Sequence, residues 1–135
     1  MRIILIIVFI LTVVGGFGQK TVDGKYKIQK TLTGIASYYH DKFHGRRMAN
    51  GELHSKNKYT AACNVLPLNK WVRVTSLTNN KVVIVKITDR MARNNKRLID
   101  LSFAAAEKLK MTRQGLRKVK VELLTNYSPT LEKVK

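Results

Sequence analysis

Two apolar runs joined by a tight turn limit what this chain can fold into. Trp71-Val72-Arg73-Val74-Thr75 alternates and is rich in β-branched residues, the pattern of a half-buried strand. Val82 to Thr88 is apolar almost throughout, which predicts a strand covered on both faces. Between them, Thr78-Asn79-Asn80-Lys81 offers asparagines that tolerate the left-handed backbone of a hairpin. Looser alternation at Tyr26, Ile28 and Leu32 to Ser37 predicts an earlier strand, and Val119 to Leu124 a last one. Tyr59 to Ala62 and Leu98 to Leu101 read as short buried pieces, with Leu66-Pro67-Leu68-Asn69 a turn closed to helix by its proline. Ser102 predicts the N-cap of one short helix through Leu109, and Gly115 breaks the chain before the final strand. Several short strands, one short helix and no strand–helix alternation predict a small β-barrel.

The first eighteen residues read as something apart. Met1-Arg2 gives a positive start, Ile3 to Val14 an apolar run, and Gly15-Gly16-Phe17-Gly18 small residues ahead of Gln19. That is the layout of a secretory signal peptide, 1–18, cleaved near Gly18, and the run is short of the ~20 residues a membrane-spanning helix needs. No cysteine lies there to carry a lipid, so export to the periplasm or cell envelope is expected without a lipid anchor. Cys63 is the single cysteine, so no intrachain disulfide can form and the fold must hold by packing.

Twenty-six basic residues stand against eight acidic ones, a formal charge of +18. Such an excess suits an anionic partner or surface. Export and the lack of an aromatic-basic repeat or DNA-reading helix argue against nucleic acid. An acidic envelope surface fits both the charge and the address, and a solvated basic exterior is the plainer alternative.

Gly34 to Ser55, GIASYYHDKFHGRRMANGELHS, is dense in glycine, aromatic, histidine and basic residues, and its period fits neither helix nor strand for long. A structured loop of this kind is a usual place for a site. A second polar loop runs from Asp89 to Arg97. His40, His44 and His54 form no metal-binding signature, and no metal or other cofactor is expected.

Gly34-Ile35-Ala36-Ser37-Tyr38-Tyr39, His44-Gly45-Arg46-Arg47 and Ala49-Asn50-Gly51-Glu52 resemble the opening of the rare lipoprotein A (RlpA) family. Ala61-Ala62-Cys63, Leu66-Pro67-Leu68 and Val72-Arg73-Val74 resemble its second block, Asp89-Arg90 its third, and Arg97 to Ser102 with Ala104-Ala105-Ala106 its fourth. The order and spacing hold from Gly34 to Leu124. The resemblance implies a mainly β fold, a six-stranded double-psi β-barrel with one or two short helices. It would occupy residues 31–125, after a basic lead-in at 19–30 and before a tail at 126–135. It implies a lytic transglycosylase acting on peptidoglycan glycan strands, on a barrel shared with expansins and family-45 endoglucanases; a monomer is expected. A non-catalytic, expansin-like glycan binder is the other reading.

A lytic transglycosylase can work with one carboxylic acid. That acid protonates the leaving oxygen, and the substrate's own C6 hydroxyl then attacks, closing a 1,6-anhydro ring. The resemblance marks Asp100, Asp89 and Glu52 as the catalytic candidates, with Asp100 at the acid position of the related barrels. The residues leave alternatives open. Asp100, between Ile99 and Leu101, sits in an apolar setting that would favour its protonated form, or it caps the helix with Ser102. Asp89 ends a strand as a site carboxylate does, or pairs with Arg90 or Arg93 in a turn. Glu52 is a site residue or a turn residue after Asn50-Gly51, with His44 as its brace. Tyr38, His44, Arg46, Asn50, Cys63 and Arg90 are the implied substrate contacts, with Tyr39 sharing the aromatic face. Met48, Cys63 and Met91-Ala92 stand where the family has threonine, histidine and Gly-Pro, and Cys63 also reads as a buried small hydrophobe.

Overall fold

A computed structural model describes residues 21–22 and 26–129. The signal-peptide reading at 1–18, the start of the lead-in and the end of the tail lie outside the described residues. Among the described residues seven strands form in chain order: β1 (Thr21–Val22), β2 (Tyr26–Tyr38), β3 (Thr60–Ala62), β4 (Trp71–Ser76), β5 (Val82–Asp89), β6 (Ile99–Leu101) and β7 (Arg117–Thr125). The helix α1 (Phe103–Lys108) follows β6, and a single 3-10 turn spans Asp41–Phe43. β2 therefore reaches back to Tyr26, into the stretch read as a lead-in.

The sheet order is β1-β2-β6-β3-β5-β4-β7, and β2 also pairs with β7. That last pairing closes six strands into a barrel, with β1 a short hairpin partner outside it. β2 with β6 and β3 with β5 run parallel, and the other pairs run antiparallel. Closure leaves few open edges for another chain to pair with.

Alternation fills the interior. Val72 and Val74 of β4, Val83, Val85 and Ile87 of β5, and Val119 and Val121 of β7 are fully or almost fully buried. Ile99, Leu101 and, beyond the helix, Leu109 and Met111 complete this core. Each such side chain contributes about 1.5–3 kcal/mol by leaving water, so packing alone can hold the fold. β5 departs from the expectation of two covered faces. Val82 is exposed, and Ile84 and Lys86 are half-buried, because the barrel has one interior and the outward face of β5 lines a groove.

Local chemistry behaves as the residues suggest. Asn80 takes φ 59° in the β4–β5 turn. The Ser102 hydroxyl accepts the Ala105 N–H at 3.3 Å, so Ser102 caps α1 and Asp100 is left free of that task. Gly34 allows β2 to pass against Leu98, where a Cβ would meet the Leu98 Cβ at 2.7 Å.

Candidate active site

One row of the barrel wall carries Asp89 and Asp100. Ser37 on β2 is paired with Asp100 on β6, and Asp100 is paired in turn with Ala62 on β3. Ala62 is paired on its other side with Asp89 of β5. Paired residues face the same way, so Ser37, Asp100, Ala62 and Asp89 share one face of four neighbouring strands. Two strand spacings separate the two aspartates, or about 10 Å between backbones. The residue between them is Ala62, which is completely buried.

Tyr39, two residues after Ser37, falls on the same face. Its backbone N–H donates to the Leu101 carbonyl at 2.8 Å, extending the β2–β6 ladder past the end of the strand. Its phenol donates to Asp89 Oδ2 at 2.7 Å. Burial pushes the Tyr39 phenol well above its ordinary range, and the hydrogen bond to Asp89 and the charges of Asp89 and Asp100 push it further. The phenol thus stays a donor at any physiological pH.

Asp89 is fixed from two more directions. Its Oδ1 accepts the backbone N–H groups of Ala49 and Arg90, each at 2.9 Å. All three donors are neutral, which answers the turn alternative: the Arg90 backbone, and neither arginine side chain, binds the carboxylate. Asp100 accepts the Ser37 hydroxyl and meets Arg97, whose Nε lies 3.2 Å from Oδ1. This corrects the apolar setting expected for Asp100. Ile99 and Leu101 project from the opposite face of the strand, and a hydroxyl and a guanidinium are what the carboxylate touches. A cavity of about 450 Å³ opens over the row, lined by Tyr38, Tyr39, Asp89, Arg90, Met91, Arg97 and Asp100 among others.

The remaining expected residues divide. Tyr38 lines the cavity, but its ring packs edge-on to Phe103 and its hydroxyl donates to the Thr112 carbonyl at 2.9 Å. Arg90 lines it too, yet its guanidinium is spent on the Cys63 carbonyl at 2.6 Å and on the Leu66 carbonyl. It braces that loop. Cys63 is a correction: it is completely buried in the core cluster, so its thiol offers nothing to substrate. The β3 segment leading into it is buried at every position, and the chain carries that burial on.

Glu52 stands apart from Asp89 and Asp100 and does not line their cavity. It lies exposed on the rim of another groove, of about 680 Å³, with its Oε1 3.1 Å from Lys86 Nζ. The hydrogen bond from Lys86 holds the Glu52 carboxyl below its usual range, against a small opposing effect of burial. Asn50 shapes the turn that carries it: the Asn50 Oδ1 accepts the Glu52 N–H at 3.0 Å, and its Nδ2 donates to Asn69 at 2.9 Å. His44 does not brace Glu52; its Nδ1 accepts the Lys56 N–H at 3.2 Å. Arg46 lies over the Phe43 ring, 5.3 Å from its centre, at the mouth of a smaller pocket.

Sequence reading gave Ser37 and Arg97 no role and set Tyr38 ahead of Tyr39. The usable signal is parity, since Tyr39 follows Ser37 by two residues, just past the end of β2. Among the described residues no three of His, Cys, Asp and Glu gather as a metal ion would need.

This barrel has close relatives. A family model described as lytic transglycolase, of the double-psi β-barrel type, matches residues 31–121. The chain belongs to the RlpA-like double-psi β-barrel family. The endolytic peptidoglycan transglycosylase RlpA of Pasteurella multocida is 45% identical over 112 residues, covering 83% of this chain and 38% of that protein. Its counterpart from Rickettsia bellii is 50% identical over 121 residues, covering 79% and 53%. The chain thus spans about half or less of the length of these family members. Among solved structures, an expansin of Clavibacter michiganensis superposes with TM-score 0.59 at 16% identity, over 73% of this chain and 52% of that one. The Streptomyces papain inhibitor superposes with TM-score 0.54 at 25% identity, over 71% and 96%.

Proposed function

We propose that this protein is an exported lytic transglycosylase that cuts peptidoglycan glycan strands to 1,6-anhydro products. The observation that carries the reading is the row Ser37–Asp100–Ala62–Asp89, two carboxylates on one face under an open cavity with Tyr39 beside them. The relatives named as peptidoglycan transglycosylases support the substrate, and the apolar run Ile3 to Val14 supports export.

Asp100 is the acid of this scheme. Its proton passes to the leaving oxygen, the C6 hydroxyl attacks the anomeric carbon, and Asp100 takes the hydroxyl's proton. Asp89, held by three neutral donors, sets a negative charge facing the oxocarbenium-like centre that forms between these events. Tyr39 orients Asp89 without exchanging its own proton. Lysines and arginines outside the site bring the protein to the anionic wall.

One observation favours binding without cutting: Arg97 already sits against Asp100, and an acid that must carry a proton gains nothing from a cation. The two readings part on product. Incubation with intact peptidoglycan and with glycan stripped of its stem peptides, read by mass spectrometry, yields anhydro-ended fragments under the first. Co-sedimentation with the polymer and no fragment at all would establish the second.

A further inference from the structure

One loop, 40–54, reaches both oxygens of Asp89. Ala49 gives its backbone N–H directly to Oδ1 at 2.9 Å. The other oxygen, Oδ2, accepts the Tyr39 phenol at 2.7 Å. Tyr39 stands just past the end of β2 and is half-buried. A ring in that position needs walls of its own if its hydroxyl is to stay on one oxygen.

Two rings of the loop supply those walls. Phe43, on the 3-10 turn, lies tilted against Tyr39 with 5.5 Å between centres. His54 meets Tyr39 edge-on at 4.6 Å, with 79° between the planes. The two are held with different firmness. Phe43 is half-buried and lies under the exposed side chains of Lys42 and Arg46. His54 is buried, and its backbone is tied on both sides. Its N–H donates to the Arg46 carbonyl at 2.6 Å, and its carbonyl accepts the Gly45 N–H at 2.8 Å. An antiparallel bridge between Arg47 and Leu53 continues that pairing. His54 is the rigid wall.

The imidazole acts here through its shape. Its Nδ1 is enclosed without a hydrogen-bond partner. Burial, and then the charge of His44, hold the ring below its ordinary range, against a weaker pull from Asp89. A neutral wall adds no cation beside the carboxylate. Edge-on aromatic pairs have a preferred geometry, so this contact favours one setting of the Tyr39 ring over others. We propose that His54 is a positioning residue: its ring fixes the Tyr39 phenol on Asp89 Oδ2 and so sets the direction in which the Asp89 carboxylate faces the sugar. The proposal rests on the transglycosylase reading above and names the residue through which the loop governs Tyr39.

The test is steady-state turnover of stem-peptide-free glycan, read as anhydro-ended product, beside NMR of protein carrying ¹³C-labelled tyrosine. His54→Leu fills the buried space without a flat ring, His54→Met fills it flexibly, and His54→Phe keeps the ring. Both unringed variants should lower kcat by about three- to tenfold with KM held within about twofold, and His54→Phe should recover the wild-type rate. In Tyr39→Phe, which has no hydroxyl to place, adding His54→Leu should cost nothing further. The Tyr39 ring signal should move in the unringed variants and stay in His54→Phe. An undiminished kcat in both unringed variants, a His54→Phe as slow as they are, a loss that multiplies with Tyr39→Phe, or an unmoved Tyr39 signal would each overturn the role. Wild-type turnover with unmoved Tyr39 signals removes the positioning and leaves the transglycosylase standing. No anhydro product from wild type removes the transglycosylase, while the Tyr39 signals still decide whether His54 places the phenol.

Discussion

The three candidate carboxylates stand in two settings, and they are equipped for different work. At the β2–β6–β3–β5 row, Asp89 and Asp100 stand in a partly enclosed cavity, and Asp89 is held by neutral donors alone. At the outer rim, Glu52 is exposed and paired with a lysine. Glu52 is thereby fixed as an anion, a source of charge for ligand or lysine. The row can position a carboxylate against a reacting centre, since its members are held by strand register and by several hydrogen bonds each. The contrast teaches that proximity in sequence to a glycine-rich loop does not bring a residue into the cavity of Asp89 and Asp100. Register across the sheet does.

The sharpest way to break this contrast is at Asp89. Asp89→Asn removes the charge and turns an amide toward donors, so turnover should fall by about 10²-fold or more while the melting curve stays cooperative. Loss of folding instead would mean that Asp89 holds the loop and does nothing further. Tyr39→Phe deletes one of the three donors. Turnover should drop by about tenfold, with kcat affected more than KM, as expected when a residue acts by orienting another. Unchanged kinetics would remove Tyr39 from the account.

Smaller effects bear on the rest. Cys63→Ala trims a buried atom from the core and should cost about 1 kcal/mol in denaturant unfolding, with turnover per folded molecule unaltered. A large loss of turnover would restore the thiol to the site. Glu52→Gln should change stability least, by a few tenths of a kcal/mol, because the pair is exposed and screened. The sign follows from the lowered carboxyl. Its contribution is present above the unfolded carboxylate range and fades as pH falls through the lower folded value, so wild type and variant should converge in acid. Glu52→Gln should also leave the basic limb of the pH–rate profile in place, since an anion donates no proton.

Much of the barrel was legible in the chain. Alternation in Trp71 to Thr75, the Asn79-Asn80 turn and the serine cap of α1 each follow from local rules, and each is where those rules put it. β5 was misjudged because Val82 and Ile84 are apolar yet face outward, and a run of apolar residues cannot say which side is covered. Asp89 is visible in the sequence as a strand-end carboxylate and Asp100 as one between two apolar residues, both in family-like blocks. Their arrangement is not. The pairing of Ser37 with Asp100 joins residues far apart in the chain, and only that register shows that Tyr39, rather than Tyr38, turns toward Asp89. Cys63 fell among the site residues because its neighbours in sequence matched the family, while its side chain points into the core.

Asp100 is the proton-carrying group of the proposed reaction, and one rate measurement tests that role. Wild type and Asp100→Asn are compared at equal folded concentration on stem-peptide-free glycan, following anhydro-ended product by mass spectrometry. The account predicts anhydro products from wild type and a rate about 10²–10⁴-fold lower in the variant, the usual worth of a general acid. Anhydro product formed by Asp100→Asn at the wild-type rate would contradict it.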